Sequence, residues 1–183
     1  HLSDSPHWSP HPPLATIGRM GTLYLVRHGQ ASFGADDYDQ LSALGQRQAE
    51  RLGEYWAGKG LHFDAVLTGT LKRHGQTWAG IAQGAGLDMA PLVWPGLNEY
   101  DSEAVIRAVL PCRRDATLGD PHTPEGYRAH FRLLRDGLAQ WMAGTVSPQG
   151  MPDYTDFVHG ITSALDHVRA HHTGHKVLMV TSG

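Results

Sequence analysis

The tetrapeptide Arg-His-Gly-Gln occurs twice in the chain, at residues 27–30 and 73–76. Arginine offers a planar, permanently charged fork of donors that matches carboxylate and phosphate oxygens. A neutral imidazole is a nucleophile or proton carrier near neutral pH. Side by side, the two suit chemistry on an anion. Context separates the copies. The first follows the apolar run 22–26, so Arg27 and His28 fall at the carboxyl end of a strand. The second opens a helical stretch just after Thr68-Gly69-Thr70, where His74 reads as a decoy on the helix face beside Arg73. Two further segments follow strand patterns: Leu97-Asn98-Glu99-Tyr100 and Val180-Thr181-Ser182-Gly183. Open α/β sheets collect ligands beyond the carboxyl ends of their strands, so these four segments are expected to converge.

The elements that must position them follow from periodicity. Residues 63–69, 90–96 and 176–182 read as three further strands, with 90–96 a short one. Ser42 is an N-cap candidate for a helix with Leu44, Ala49, Leu52, Tyr55 and Trp56 at inner spacing. Residues 71–86 form the next helix, ended by Gly84 and Gly86. Residues 97–122, with Pro111, Gly119 and Pro121, read as an irregular, lid-like insertion holding one short helix. Thr123 caps a helix that begins at Pro124 and runs to about Ala143, and another spans about 155–172. Trp78, Trp94 and Trp141 are core candidates. Strands alternating with helices predict an α/β domain with a mostly parallel sheet.

Composition narrows the partners. The 183 residues carry 15 Lys and Arg against 18 Asp and Glu, a net charge of −3. Nucleic acid is therefore a poor default partner, and no apolar run reaches the ~20 residues of a membrane span. The single cysteine, Cys112, allows no intrachain disulfide, which fits a reducing, cytoplasmic setting. Residues 1–19 hold Pro6, Pro10, Pro12 and Pro13 and read as a disordered Pro/His-rich lead, so the domain is expected over 20–183. The last strand pattern meets the chain end at once, as though the domain's last elements were missing. His167, His171, His172 and His175 cluster near a helix end and read as an exposed, dipole-compatible group; no metal site is expected.

Residues LYLVRHGQ, VLTGTLKRHGQTW, LNEYDSEA and KVLMVTSG together resemble the histidine phosphatase superfamily, the phosphoglycerate-mutase-like family. The likeness spans about residues 20–183 and implies a three-layer α/β/α sandwich. It implies that His28 is the nucleophile and becomes a phosphohistidine. Arg27 and Arg73 would clamp the phosphoryl oxygens, and Gly29 would keep backbone close to them. Glu99, with Glu103 as the next acid, would protonate the leaving oxygen and then activate water. Gln30 and Ser32 would add phosphate or substrate contacts. A phosphate monoester is dianionic, so two arginines supply the charge and no cofactor is implied. The family's last motif ends in His-Gly, where this chain has Ser182. A hydroxyl still donates one hydrogen bond but brings no charge, so turnover is expected to be weakened and Ser182→His to raise it.

The expected activity is thus a metal-independent phosphatase acting on a phosphorylated small molecule or phosphoprotein. The 97–122 insertion, with Arg107, Arg113 and Arg114, is expected to set substrate choice. One alternative is a weak or inactive phospho-ligand binding protein that keeps Arg27, His28 and Arg73. A phosphoglycerate mutase-type phosphotransferase is another, and a metal-binding protein built on the His167–His175 cluster a third.

Overall fold

The computed structural model describes residues 20–32, 37–112, 119–120 and 122–182. The lead at 1–19, Arg113, Arg114 and Gly183 fall outside these residues. Nine elements follow in chain order: β1 (Thr22–Arg27), α1 (Ala43–Gly58), β2 (Ala65–Thr68), α2 (Lys72–Ala85), β3 (Leu92–Val93), α3 (Ser102–Val109), α4 (Pro124–Met142), α5 (Tyr154–His171) and β4 (Lys176–Thr181). The strands pair in the order β1-β4-β2-β3, all parallel. β4, last in sequence, lies between β1 and β2, so the two earlier strand ends flank its own.

Alternation along the strands builds two cores. Val66, Leu178 and Val180 face Ala49, Phe63, Trp78 and Ile81, with Tyr24 and Val26 packed alongside. Leu67, Val177 and Met179 face the other way, onto Leu97 and Ala164 of α5. The sheet therefore has α1 and α2 on one face and α5 on the other, the three-layer α/β/α sandwich. Burying one such Leu or Val side chain contributes roughly 1.5–3 kcal/mol. β1 is an edge strand with Leu23 and Leu25 exposed.

The helix start signals hold. The Ser42 hydroxyl accepts from the Gly45 N–H, and that of Thr123 from the Gly126 N–H. Gly86 ends α2 in the left-handed conformation at φ 65°. Two sequence expectations need correction. Leu44 and Tyr55 are exposed, whereas Ala49, Leu52 and Trp56 pack inward as expected; the fully buried positions of α1 are Gly45, Ala49 and Gly53. A Cβ on Gly53 would collide with the backbone of Ile81, and one on Gly84 with that of Glu50. The α1 and α2 backbones touch, which large side chains would forbid. The third strand shrinks to Leu92–Val93, and Pro95 starts a 3-10 turn over Pro95–Leu97.

The short helix expected within 97–122 is α3. It buries Ala104, Val105, Ile106 and Val109, and Val105 packs onto Gly137 of α4. Trp78 and Trp141 are buried as expected, whereas Trp94 is half-buried with its indole N–H donating to Ser163. Among the described residues, no helix is long and apolar enough to cross a membrane.

Candidate active site

Parallel pairing puts the ends of β1, β4 and β2 at one edge of the sheet. The His28 N–H donates to the Thr181 carbonyl at 2.9 Å, one step beyond the Arg27–Thr181 pair. His28 and Ser182 are therefore neighbours. The His28 Nδ1 lies 2.7 Å from the Gly29 carbonyl oxygen. A carbonyl only accepts, so Nδ1 carries the hydrogen and Nε2 keeps its lone pair. The Arg73 Nε–H points at that lone pair from 3.2 Å.

Arg73 is the hub. It is only 7% exposed. One guanidinium nitrogen donates to Asp39 at 3.0 Å and the other to Glu99 at 2.7 Å. Asp39 also accepts from the backbone N–H groups of Lys72 and Arg73. Leu71 has no side-chain acceptor to cap α2, so a distant loop carboxylate does so.

The turn bearing Glu99 is tied on two sides. The Asn98 side-chain oxygen accepts the Thr70 N–H at 2.7 Å, and the Thr181 hydroxyl donates to the Leu97 carbonyl at 2.6 Å. Gly96 lets this turn meet α5, because a Cβ there would strike Gly160. Glu103 lies in the first turn of α3, exposed, and pairs with Arg107 at 3.3 Å. Of the two candidate acids, Glu99 is the one brought to Arg73.

Other expected contacts lie around this centre. The Gly29 N–H donates to the Thr77 hydroxyl, which donates to the Arg73 carbonyl. The Gln30 side chain accepts from the Ser42 hydroxyl at 2.9 Å, and the Ser32 N–H donates to the Gln40 carbonyl. Arg27 is exposed and alternates with Val26, so it leaves the sheet on the side of Leu23 and Leu25. His28, Arg73, Glu99 and Ser182 converge; Arg27 is next to His28 in sequence but its side chain is exposed.

Two residues of the site escaped the sequence reading. Asp39 reaches Arg73 across 34 positions, with no local spacing to reveal it. His74 stands on α2 beside Arg73, as read from the sequence, but its burial was not foreseen: it is fully buried, and its Nε2 lies 2.9 Å from the Ser182 hydroxyl. Its signal was available, since His74, Trp78 and Ile81 share one helical face with a period of three to four. Burial, with Arg73 and His28 beside it, lowers its pKa to about 4. The His167–His175 group stacks and tilts at the end of α5; among the described residues no group of three or more His, Cys, Asp or Glu is placed to hold a metal ion.

Residues 23–105 match the profile of the histidine phosphatase superfamily, branch 1. This stretch, rather less than half of the chain, is similar to that superfamily. The matched stretch runs from β1 into α3 and carries His28, Arg73 and Glu99. A broad-specificity phosphatase of Saccharomyces cerevisiae is 32% identical over 84 residues, 42% of this chain and 36% of the yeast protein. The alignment thus spans about a third of that curated relative. Among solved structures, YhfR of Bacillus stearothermophilus shares the fold at TM-score 0.56 and 23% identity, over 89% of this chain and 74% of its own. A mycobacterial glucosyl-3-phosphoglycerate phosphatase does so at TM-score 0.54 and 20% identity, over 88% and 73%.

Proposed function

We propose that the protein is a metal-independent phosphatase that hydrolyses a phosphomonoester through a phosphohistidine on His28. One observation carries the reading: the Gly29 carbonyl holds the hydrogen on Nδ1, which leaves Nε2 as a nucleophile aimed into a site with a buried arginine. Likeness to a broad-specificity phosphatase of yeast supports the reaction class.

In the first step Nε2 attacks phosphorus. The P–N bond forms as the bond to the leaving oxygen breaks, and Glu99 gives that oxygen a proton. In the second, water attacks phosphorus, its proton passes to Glu99, and the P–N bond breaks to release phosphate. Arg73 turns from Asp39 and Glu99 toward the phosphoryl oxygens, with Arg27 joining it. Gly29 gives the phosphate close access to backbone, and Gln30, Ser32 and Ser182 contribute polar contacts. The substrate is a phosphorylated small molecule or phosphoprotein. The 97–122 segment sets its identity, although Arg107 is already paired with Glu103 and Asp101.

A second reading has its own support. Arg73 is engaged by two carboxylates, which suits a protein that holds a phospho-ligand weakly without turning it over. Hydrolysis of an aryl phosphate with EDTA present separates the two. Turnover by the wild type, lost in His28→Ala, together with acid-labile, base-stable label on the wild-type chain, is the expected result. Phosphate binding without turnover, or turnover unchanged in His28→Ala, sinks the phosphatase mechanism.

A further inference from the structure

His74 is buried beside His28 with half of its hydrogen-bonding capacity unused. It is 0% exposed, and its ring centre lies 5.9 Å from that of His28. The groups around it are Arg73 on its own helix, His28 after β1, Asp39 from the loop before α1, and Glu99 from the turn after β3. Burial and the neighbouring cation keep it uncharged at neutral pH.

A neutral imidazole has a single N–H, and its place is decided by the partners. Nε2 meets the Ser182 hydroxyl at 2.9 Å, whereas Nδ1 is buried without a partner among the described residues. Nδ1 lies so close to Gly69 that a Cβ there would collide with it. A buried N–H without an acceptor is rarer than an under-used acceptor. The hydrogen therefore sits on Nε2 and is donated to the Ser182 oxygen. With that oxygen accepting, the Ser182 O–H is left to donate elsewhere. Ser182 follows β4 next to His28, so the free direction is the site's open edge.

We propose that His74 is a positioning residue that turns the Ser182 hydroxyl into a hydrogen-bond donor for the phosphoryl group, the two side chains together doing what a single histidine at 182 does in the resembling family. This rests on the phosphatase reading above. Linked hydrogen bonds polarise one another, so a serine that accepts from His74 is a better donor than an isolated one. The pair also fixes the effect of adding a histidine at 182. Ser182→His alone forces a second ring against His74 and lowers activity, contrary to the expectation from sequence. Ser182→His combined with His74→Ala has the space.

The test is a double-mutant cycle on the full chain, read as kcat and KM for an aryl phosphate and as affinity for orthovanadate. His74→Ala and Ser182→Ala are each expected to lower kcat by about 10²-fold, with KM changed much less. The double variant is expected to be no worse than either single one. His74→Gln keeps an N–H near the Nε2 position and is expected to restore most of the loss. The exchange variant His74→Ala/Ser182→His is expected to exceed both of its single parents. Multiplying effects, a Gln variant as impaired as Ala, or a gain from Ser182→His alone would each overturn the proposal. If His74→Ala fails to fold, the cycle is run with His74→Leu, which fills the cavity but donates nothing. Should the wild type bind vanadate without turning over substrate, the phosphatase reading fails on its own. The pairing is then decided by whether the two substitutions weaken vanadate affinity jointly rather than independently.

Discussion

Asp39 and Arg73 are joined twice, through the guanidinium at 3.0 Å and through the backbone N–H at 3.4 Å. The same carboxylate accepts the Lys72 N–H. One loop side chain thus caps α2 and aims its arginine. Asp39→Ala is expected to cost about 1–2 kcal/mol in urea denaturation and to raise KM for an aryl phosphate. Asp39→Asn, which can still accept from the two amides, is expected to fall between. Unchanged stability in both variants would show that water caps the helix equally well.

Arg73 meets His28, Asp39 and Glu99 with three different nitrogens. Lysine has one nitrogen and cannot reproduce that fork. Arg73→Lys is expected to lower kcat/KM by about 10²-fold or more while leaving a folded protein. Circular dichroism checks the fold and steady-state kinetics the loss. A variant with near wild-type kcat/KM would mean that charge alone suffices.

Gly29 follows His28 and faces Gly45 of α1. A Cβ on it would run into the Gly45 backbone, which has no flexible end to swing away. Gly29→Ala is expected to destabilise the fold by about 1–3 kcal/mol and to displace His28. The measurement is a thermal melt beside an activity assay. Loss of activity at full stability would instead place the whole effect at the phosphate.

The buried His74 makes stability depend on pH with a definite sign. Its pKa is about 4 in the folded chain against 6.5 for the unperturbed side chain. The unfolded chain binds the extra proton first, so this contribution is complete above about pH 6.5 and is lost as pH falls toward 4. At ~1.4 kcal/mol per unit, it amounts to on the order of 3 kcal/mol when fully expressed. Urea melts from pH 7 to 4 are expected to show a steeper decline for the wild type than for His74→Gln. Parallel curves would mean that His74 is protonated in place.

Val105 tests how firmly α3 is held. It is fully buried and packed on Gly137. Val105→Asp is expected to cost about 3 kcal/mol or more, because it buries an unpaired charge. A melting temperature unchanged from the wild type would show that α3 lifts freely from α4, as a lid does.

Much of the protein was legible in its residues. The apolar run before Arg27, the Ser42 and Thr123 caps and the Gly86 stop fix strand and helix locally, because each depends on neighbours a few positions away. The strand–helix alternation fixes the class of fold. His28, Arg73 and Glu99 were visible because each follows a strand pattern, and parallel pairing carries all such ends to one edge. What sequence spacing leaves open is which side chains meet across that edge. Asp39 finds Arg73 over 34 positions, and His74 finds Ser182 over 108. The second match exists only because β4 inserts between β1 and β2, which brings the end of the last strand over the first turn of α2. Part of the inner face of α1 was misread for a related reason. Hydrophobicity selects Leu44 and Tyr55 beside Leu52 and Trp56, but where the α1 and α2 backbones touch, the buried positions are Gly45, Ala49 and Gly53. Residue types determine what each segment is; packing in three dimensions decides which residue becomes whose partner.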